Sequence, residues 1–341
     1  MKLKNLTGYL EQIAPPSFQE SYDNSGLIVG DLDIQIRGVL ICLDSTEAIV
    51  DEAIALGCNV IVAHHPIVFR GIKKFNGKSY VERVVMKAIK NDIAIYAIHT
   101  NLDNVLEDGV NKMLGRKLDL KNVQILSPKK NLKKIQLHLN EDDSKRLTRS
   151  TLTNGMKIHK SLTVGNDGMQ EMPVVLFEIL ISEGLEHAFI QKTRKLLGED
   201  LEFELSEVSN QNSKVGSGLI GYLKNPILEV SFLKRLKSNL NLKVIRHTEL
   251  LGKRVRKIAI CGGAGGFLLP QAKRAGADFF VTSDYKYHEF FDAEQSLVIA
   301  DIGHYESEQY TIELLYGLIT KKFSNFASHC TKLDTNPVNY F

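Results

Sequence analysis

The sequence predicts an α/β protein: two pseudo-symmetric lobes built on a largely parallel sheet, with a small α+β domain inserted between them. Three observations carry that prediction. Short, wholly apolar runs alternate with helical patterns near both ends of the chain, as in parallel strands covered on both faces. Between them, the pattern changes to alternating apolar and polar residues, the mark of half-solvated strands. The two α/β stretches also align with each other. At 341 residues the chain exceeds what one core ordinarily organises, so a discontinuous domain (1–129 and 213–341) and an insert (130–212) follow.

A first helix carries Leu3, Leu6, Leu10 and Ile13 at helical spacing and stops before Pro15 and Pro16. The run 22–30 reads as a turn feeding a short strand, and 39–43 as an apolar strand. Asp44 follows, with Glu47 three residues on, which reads as an N-cap with a capping-box partner for a helix running to Gly57, its place at the strand end leaving room for a site role. The run 60–63 is a central parallel strand closed by His64, His65 and Pro66. A helix near 79–91, a strand over 93–98, the loop 99–103 and a helix ending at Gly115 complete the first α/β stretch. In the insert, strands at 135–139, 161–164, 174–181 and 201–208 enclose helices at 142–153 and 186–197. The order β-α-β-β-α-β is the split-βαβ pattern of a ferredoxin-like domain.

From Val215 the α/β pattern returns as a repeat. Laying 39–65 on 258–284 without a gap matches Cys42 with Cys261, Ala53 with Ala272, Gly57 with Gly276 and Val62 with Val281. A second alignment lays 93–95 on 297–299, opposing Thr100 to His304 and Asn104 to Glu308. A duplication of this kind makes matching strand ends face each other, so His64, His65 and Asp103 of one half converge with Ser283, Asp284, His304 and Glu308 of the other.

Composition narrows the function classes. A net charge of +3, with no dominant basic run, argues against a nucleic-acid or membrane surface. Four scattered cysteines without a CxxC spacing read as free thiols of a reducing compartment. With no signal-peptide core at the N-terminus, the expected location is cytoplasmic.

His304 and Glu308 stand four residues apart at the start of a helix whose apolar face runs through Ile312, Leu315 and Leu318. They share one helix face and can grip one ion. With His64, His65 and Asp103 they make three imidazoles and two carboxylates, more than a closed structural zinc site uses. Such a set suits two divalent transition ions (Zn, Fe, Mn, Co or Ni) with Glu308 shared between them. Paired ions of that kind lie about 3.5–4 Å apart and lower the pKa of bound water to near 7. Neighbouring residues of an extended segment point to opposite sides, so His64 and His65 serve different ions or else act where the chain has begun to turn. His99 and His288 are the candidate proton shuttles, each beside a strand end. The glycine-rich run 262–266 between a strand and a helix offers a phosphate cradle, or else a tight turn.

The blocks YDNSGLIVG (22–30), AHHP (63–66), HTNLD (99–103), CGGAG (261–265), TSDYKYH (282–288), GHYESE (303–308) and DTNP (334–337) resemble those of the NIF-three-like proteins, also called GTP cyclohydrolase type 2 homologues. Ser283 departs from the usual glycine there, and Tyr22 from the common tryptophan. The resemblance implies a two-metal site in which His65 and Asp103 hold one ion, His64 and His304 the other, and Glu308 both. It also implies a toroidal hexamer and an insert similar to a PII-like module. The expected activity is metal-dependent hydrolysis of a nucleotide or related substrate. A non-enzymatic metal carrier or sensor, or an interaction scaffold, are the alternatives.

Overall fold

In the computed structural model, residues 1–150, 157–164 and 173–341 are described, with side chains described outside 149–174. The strands in chain order are β1 (Gly26–Val29), β2 (Gly38–Cys42), β3 (Val60–Ala63), β4 (Ala94–Ala97) and β5 (Lys121–Pro128), then β6 (Leu132–Leu139), β7 (Lys157–Val164), β8 (Pro173–Ser182) and β9 (Glu204–Val208). They continue with β10 (Gly216–Leu228), β11 (Arg246–His247), β12 (Arg254–Ala264), β13 (Phe279–Ser283), β14 (Val298–Asp301) and β15 (Ala327–Cys330). The chain divides into two compact units, 1–127 with 215–341, and 128–214.

The larger unit holds two sheets, of orders β1-β4-β3-β2-β15 and β11-β14-β13-β12-β10-β5. The parallel strands sit at the centre of each: β2, β3 and β4 in one, β12, β13 and β14 in the other. Antiparallel β1, β10 and β11 flank them, and β15 returns parallel to β2 from the far end of the chain. Every residue of β2, β3, β4, β13 and β14 is buried, which is why these runs read as unbroken apolar stretches. Along β12 and β13 alternate residues enter different cores. Ile258, Ile260, Phe279 and Val281 pack into one cluster, and Ala259, Cys261 and Phe280 into another, so this sheet is covered on both faces.

The internal repeat extends to hydrogen-bond register. Val39 pairs with Val60 and Ile258 with Phe279, as the gapless alignment requires. Val60 pairs with Ala94, and Phe279 with Val298, following the second alignment. Three local expectations change. The helix after β2 is Glu47–Ala55, and its cap is Thr46, whose hydroxyl accepts from the Ile49 N–H at 3.3 Å; Asp44 is left for another task. The helix expected to end at Gly115 continues as Val110–Lys117. The helix bearing His304 breaks after five residues (His304–Glu308) and resumes as Thr311–Lys322, with Ser307 Oγ bonded back to the His304 carbonyl at the break.

The smaller unit is a four-stranded antiparallel sheet of order β7-β8-β6-β9, with helices Glu141–Ser150 and Glu186–Leu197. Its core gathers Ile135, Leu137, Phe177, Ile179 and Phe189. The 151–153 end of the expected helix lies outside the described residues.

Candidate metal centre

The site begins where β3 stops pairing. His64 N–H donates to the Cys42 carbonyl at 3.2 Å and His65 N–H to Leu43 at 2.9 Å, carrying the parallel ladder past the strand before Pro66 ends it. Successive side chains of an extended segment diverge, so the two imidazoles take different partners. His64 is fully buried with Nδ1 2.8 Å from the Ile98 carbonyl just beyond β4. His65 turns Nδ1 to Asp44 Oδ1 at 2.7 Å. From the other lobe, His304 turns Nδ1 to Asp284 Oδ2, also at 2.7 Å. Each ring is therefore anchored through Nδ1 and presents Nε2 inward, which is how outer partners orient metal-ligating histidines.

Two carboxylates receive those nitrogens. Glu308 is 2% exposed; its Oε2 lies 2.9 Å from His65 Nε2 and 3.0 Å from His304 Nε2, and its Oε1 is 3.8 Å from His64 Nε2. Asp103, from the turn Thr100–Asp103 after β4, lies 3.6 Å from His64 Nε2. The buried atoms His64 Nε2 and Asp103 Oδ1 have no hydrogen-bond partner among the described residues. Orphaned atoms of this kind are costly unless something else coordinates them.

The charges pull in opposite directions. Burial works against ionised Glu308, but hydrogen bonds from His304 and His65 outweigh it and hold the carboxyl well below its ordinary value. Asp103 goes the other way, raised by burial and by the charge of Glu308. Burial lowers His64. At His65 and His304 burial is outweighed by Asp44, Asp284 and Glu308, which push these imidazoles up to about 9 and about 11.

Ligand atoms within 4.8 Å of one another form three groups among the described residues, His65, His304, Glu308; His64, Asp103, Glu308; and His64, His65, His99, and each could hold a metal ion. The five residues expected from the sequence thus come together, and their ligand-atom groups differ from the pairing implied by resemblance. His64 groups with Asp103, and His65 with His304, because the Ile98 carbonyl and Asp44 set the direction of each ring. His99 is also present: its ring centroid is 5.3 Å from those of His64 and His65, and Nδ1 is 2.7 Å from Asp23 Oδ1. His288 is not. It is exposed beside Tyr287 and Phe291, carried off when the chain turns at Asp284 (φ 59°) and buries Tyr285 instead.

The glycine-rich run 262–266 is no open phosphate cradle. The N–H groups of Gly262, Gly263 and Gly265 already donate to Asn111, Ser307 and Thr282, at 2.9, 2.9 and 3.0 Å. The glycines make room instead: a Cβ on Gly263 (φ +64°) would collide with Glu308 Oε1. Gly263→Ala is therefore expected to cost about 1–3 kcal/mol of stability and to loosen Glu308. Denaturant unfolding with metal analysis of the same sample checks this, and normal metal retention would count against it.

Sequence reasoning brought Asp284 to the cleft and left Asp44 room for a site role, but identified neither of them, nor Asp23, as a partner of an imidazole. Burial opposes ionisation of Asp23, but bonds from His99, Thr100 and Asn24 outweigh it and hold the carboxyl far below its ordinary value. The signal available for Asp44 and Asp284 was position alone, since each directly follows a parallel strand.

The cleft is a cavity of 420 Å³, lined from one lobe by Tyr22, Phe69 and His99 and from the other by Gly263, Phe267 and His304. The family model described as Duf34/NIF3 (NGG1p interacting factor 3) matches residues 1–337. A Staphylococcus aureus (strain MSSA476) protein named GTP cyclohydrolase 1 type 2 homolog is 31% identical over 369 residues, covering both chains fully. A Staphylococcus epidermidis (strain ATCC 12228 / FDA PCI 1200) protein of the same name is 30% identical over 368 residues, again with both chains fully covered. The crystal structure of a Bacillus cereus protein related to NIF3 superposes with a TM-score of 0.83 at 31% identity, over 100% of this chain and 99% of that one. No helix among the described residues is long and apolar enough to cross a membrane.

Proposed function

The chain belongs to the Duf34/NIF3 family, and on that premise we propose that its strand-end cluster is a two-ion centre serving hydrolysis of a nucleotide or related substrate. Glu308 carries the proposal: it joins the group of His65 and His304 to that of His64 and Asp103, and each of its oxygens faces imidazole nitrogen. The residues fit the ions they would hold. His64 Nε2 and Asp103 Oδ1 are buried donors of electron pairs with nothing to receive them. Five nitrogen and oxygen ligands suit Zn, Fe, Mn, Co or Ni without choosing among them. Ions so held polarise a substrate oxygen and make bound water acidic enough to ionise near pH 7.

The chain's own groups do the rest. Asp44, itself held by Thr335 Oγ1 at 2.7 Å, and Asp284 fix the rings of His65 and His304. His99, with Nδ1 committed to Asp23, keeps Nε2 for proton transfer at the cleft. A toroidal homohexamer in the cytoplasm belongs to the same proposal, and light scattering of the purified protein checks the assembly.

Metal-loaded protein is expected to turn over a member of a nucleotide and phosphoester panel, and His65→Ala to abolish that turnover. Absence of turnover with every one of the five metals, in protein that binds them, would leave a metal carrier or sensor in its place. Asp44→Asn is expected to weaken the ion at His65 by about 10–100-fold while sparing the one at His64. Competition against a chromogenic chelator measures that difference; equal weakening of both ions would be the wrong result.

A further inference from the structure

Two features of the cleft remain unused by the two-ion reading. The first is its lining. Tyr22 and Phe69 on one wall and Phe267 on the other are 61%, 48% and 61% exposed, with the Tyr22 and Phe69 ring centroids 6.2 Å apart. Large rings left open to water around a cavity mark a place where a flat apolar surface is meant to lie. No Lys or Arg lines this cavity among the described residues, whereas Glu20, Asp44, Asp103 and Glu308 do. Three of the four glycine N–H groups that could have cradled a phosphate are spent on Asn111, Ser307 and Thr282. Sites that process phosphoryl groups surround them with Arg, Lys or free backbone N–H groups, and here the walls offer carboxylates.

The second feature adjoins the first. Pro66 and Phe69 also border a hollow of 690 Å³ lined by Arg70, Lys73, Lys74 and Lys78. These four exposed cations fall within nine residues of a chain whose net charge is only +3, and none has an ion-pair partner among the described residues. The carboxylate that shares the hollow, Glu82, is occupied by the N–H groups of Asn76 and Lys78 and by the Ser79 hydroxyl.

We propose that the ligand is a planar heteroaromatic ring bearing an anionic tail and that it enters ring first. The ring lies among Tyr22, Phe69 and Phe267, and the tail rests outside on Arg70, Lys73, Lys74 and Lys78. Ring atoms, rather than phosphorus, then meet the His and carboxylate cluster. That last clause rests on the two-ion reading; the two subsites do not.

Calorimetric titration of the full metal-loaded chain with guanosine, adenosine, their 5′-monophosphates and inorganic pyrophosphate tests this. A monophosphate is expected to bind about tenfold more tightly than its nucleoside at low salt, an advantage lost at high salt and in R70Q/K73Q/K74Q. Phe267→Leu is expected to weaken nucleoside and nucleotide alike by about tenfold, with metal content unchanged. The proposal is overturned if no nucleoside or nucleotide saturates the protein, if Phe267→Leu leaves affinity intact, or if pyrophosphate alone displaces the nucleotide. Metal analysis and a repeat titration after EDTA treatment separate the two readings. Nucleotide binding by protein that takes up none of the five metals would end the two-ion reading and uphold this one; two ions without nucleotide binding would do the reverse.

Discussion

Glu308→Gln is expected to empty both ion positions at once, where Asp103→Asn releases only the ion at His64. The asymmetry follows from placement. Asp103 belongs to one candidate group, whereas Glu308 belongs to two and is, among the described residues, the only carboxylate that reaches the Nε2 atoms of His65 and His304 within 3.0 Å. An amide keeps the shape of the side chain but offers one neutral oxygen and a donor nitrogen, which repels a cation and cannot accept from imidazole. The metal-free variant is affected too. Glu308 is what outweighs burial, together with Asp44 and Asp284, in keeping His65 and His304 charged, so losing it leaves a buried amide among rings that no longer match it. A loss of about 1–3 kcal/mol is the scale for a buried polar partner removed on one side. Elemental analysis of the two variants beside the parent decides the matter. Retention of a full complement of ions by Glu308→Gln would mean that the carboxylate is not shared.

The cluster of candidate ligands is legible in the sequence because of where its residues lie. His64, His65, Asp103 and His304 follow apolar runs short enough to be parallel strands, and chemistry in an open α/β sheet gathers at those ends. The gapless repeat then brought the matching ends of the two halves together. What was misread shares one cause, that a residue type carries the same local signal in different roles. Asp44 after a strand and before a helix looks like a cap whether or not an imidazole stands beside it; only the fold reveals that Thr46 takes the cap and His65 takes Asp44. Glycines at 262, 263 and 265 look alike whether they bare N–H groups to a ligand or clear space for a buried carboxylate. The pairing of the histidines depends on contacts made 34 and 21 residues away, beyond the reach of local pattern. Strand direction was likewise hidden: the flanking strands β1, β10 and β11 run antiparallel, and β15 joins the first sheet from the far end of the chain.

Metal removal is expected to reverse the slope of stability against pH between about 6.5 and 9. In the metal-free protein His65 titrates at about 9 and His304 at about 11, both raised from 6.5. A histidine raised on folding contributes stability that is fully present below its unfolded value and is lost as pH climbs through its folded value. Metal-free protein therefore becomes less stable from pH 6.5 upward, as the unfolded chain sheds protons that the folded chain still holds. The loaded protein behaves oppositely, because an ion must displace those same protons and does so more easily as they become scarce. Its melting temperature should rise over the window in which that of the EDTA-treated protein falls. The same displacement predicts that metal binding at pH 7.5 releases about two protons per chain, read from binding enthalpies in buffers of different ionisation heat. Parallel melting curves for the two forms, or binding without proton release, would show that His65 and His304 do not exchange protons for metal, and the ligand assignment of both would fall.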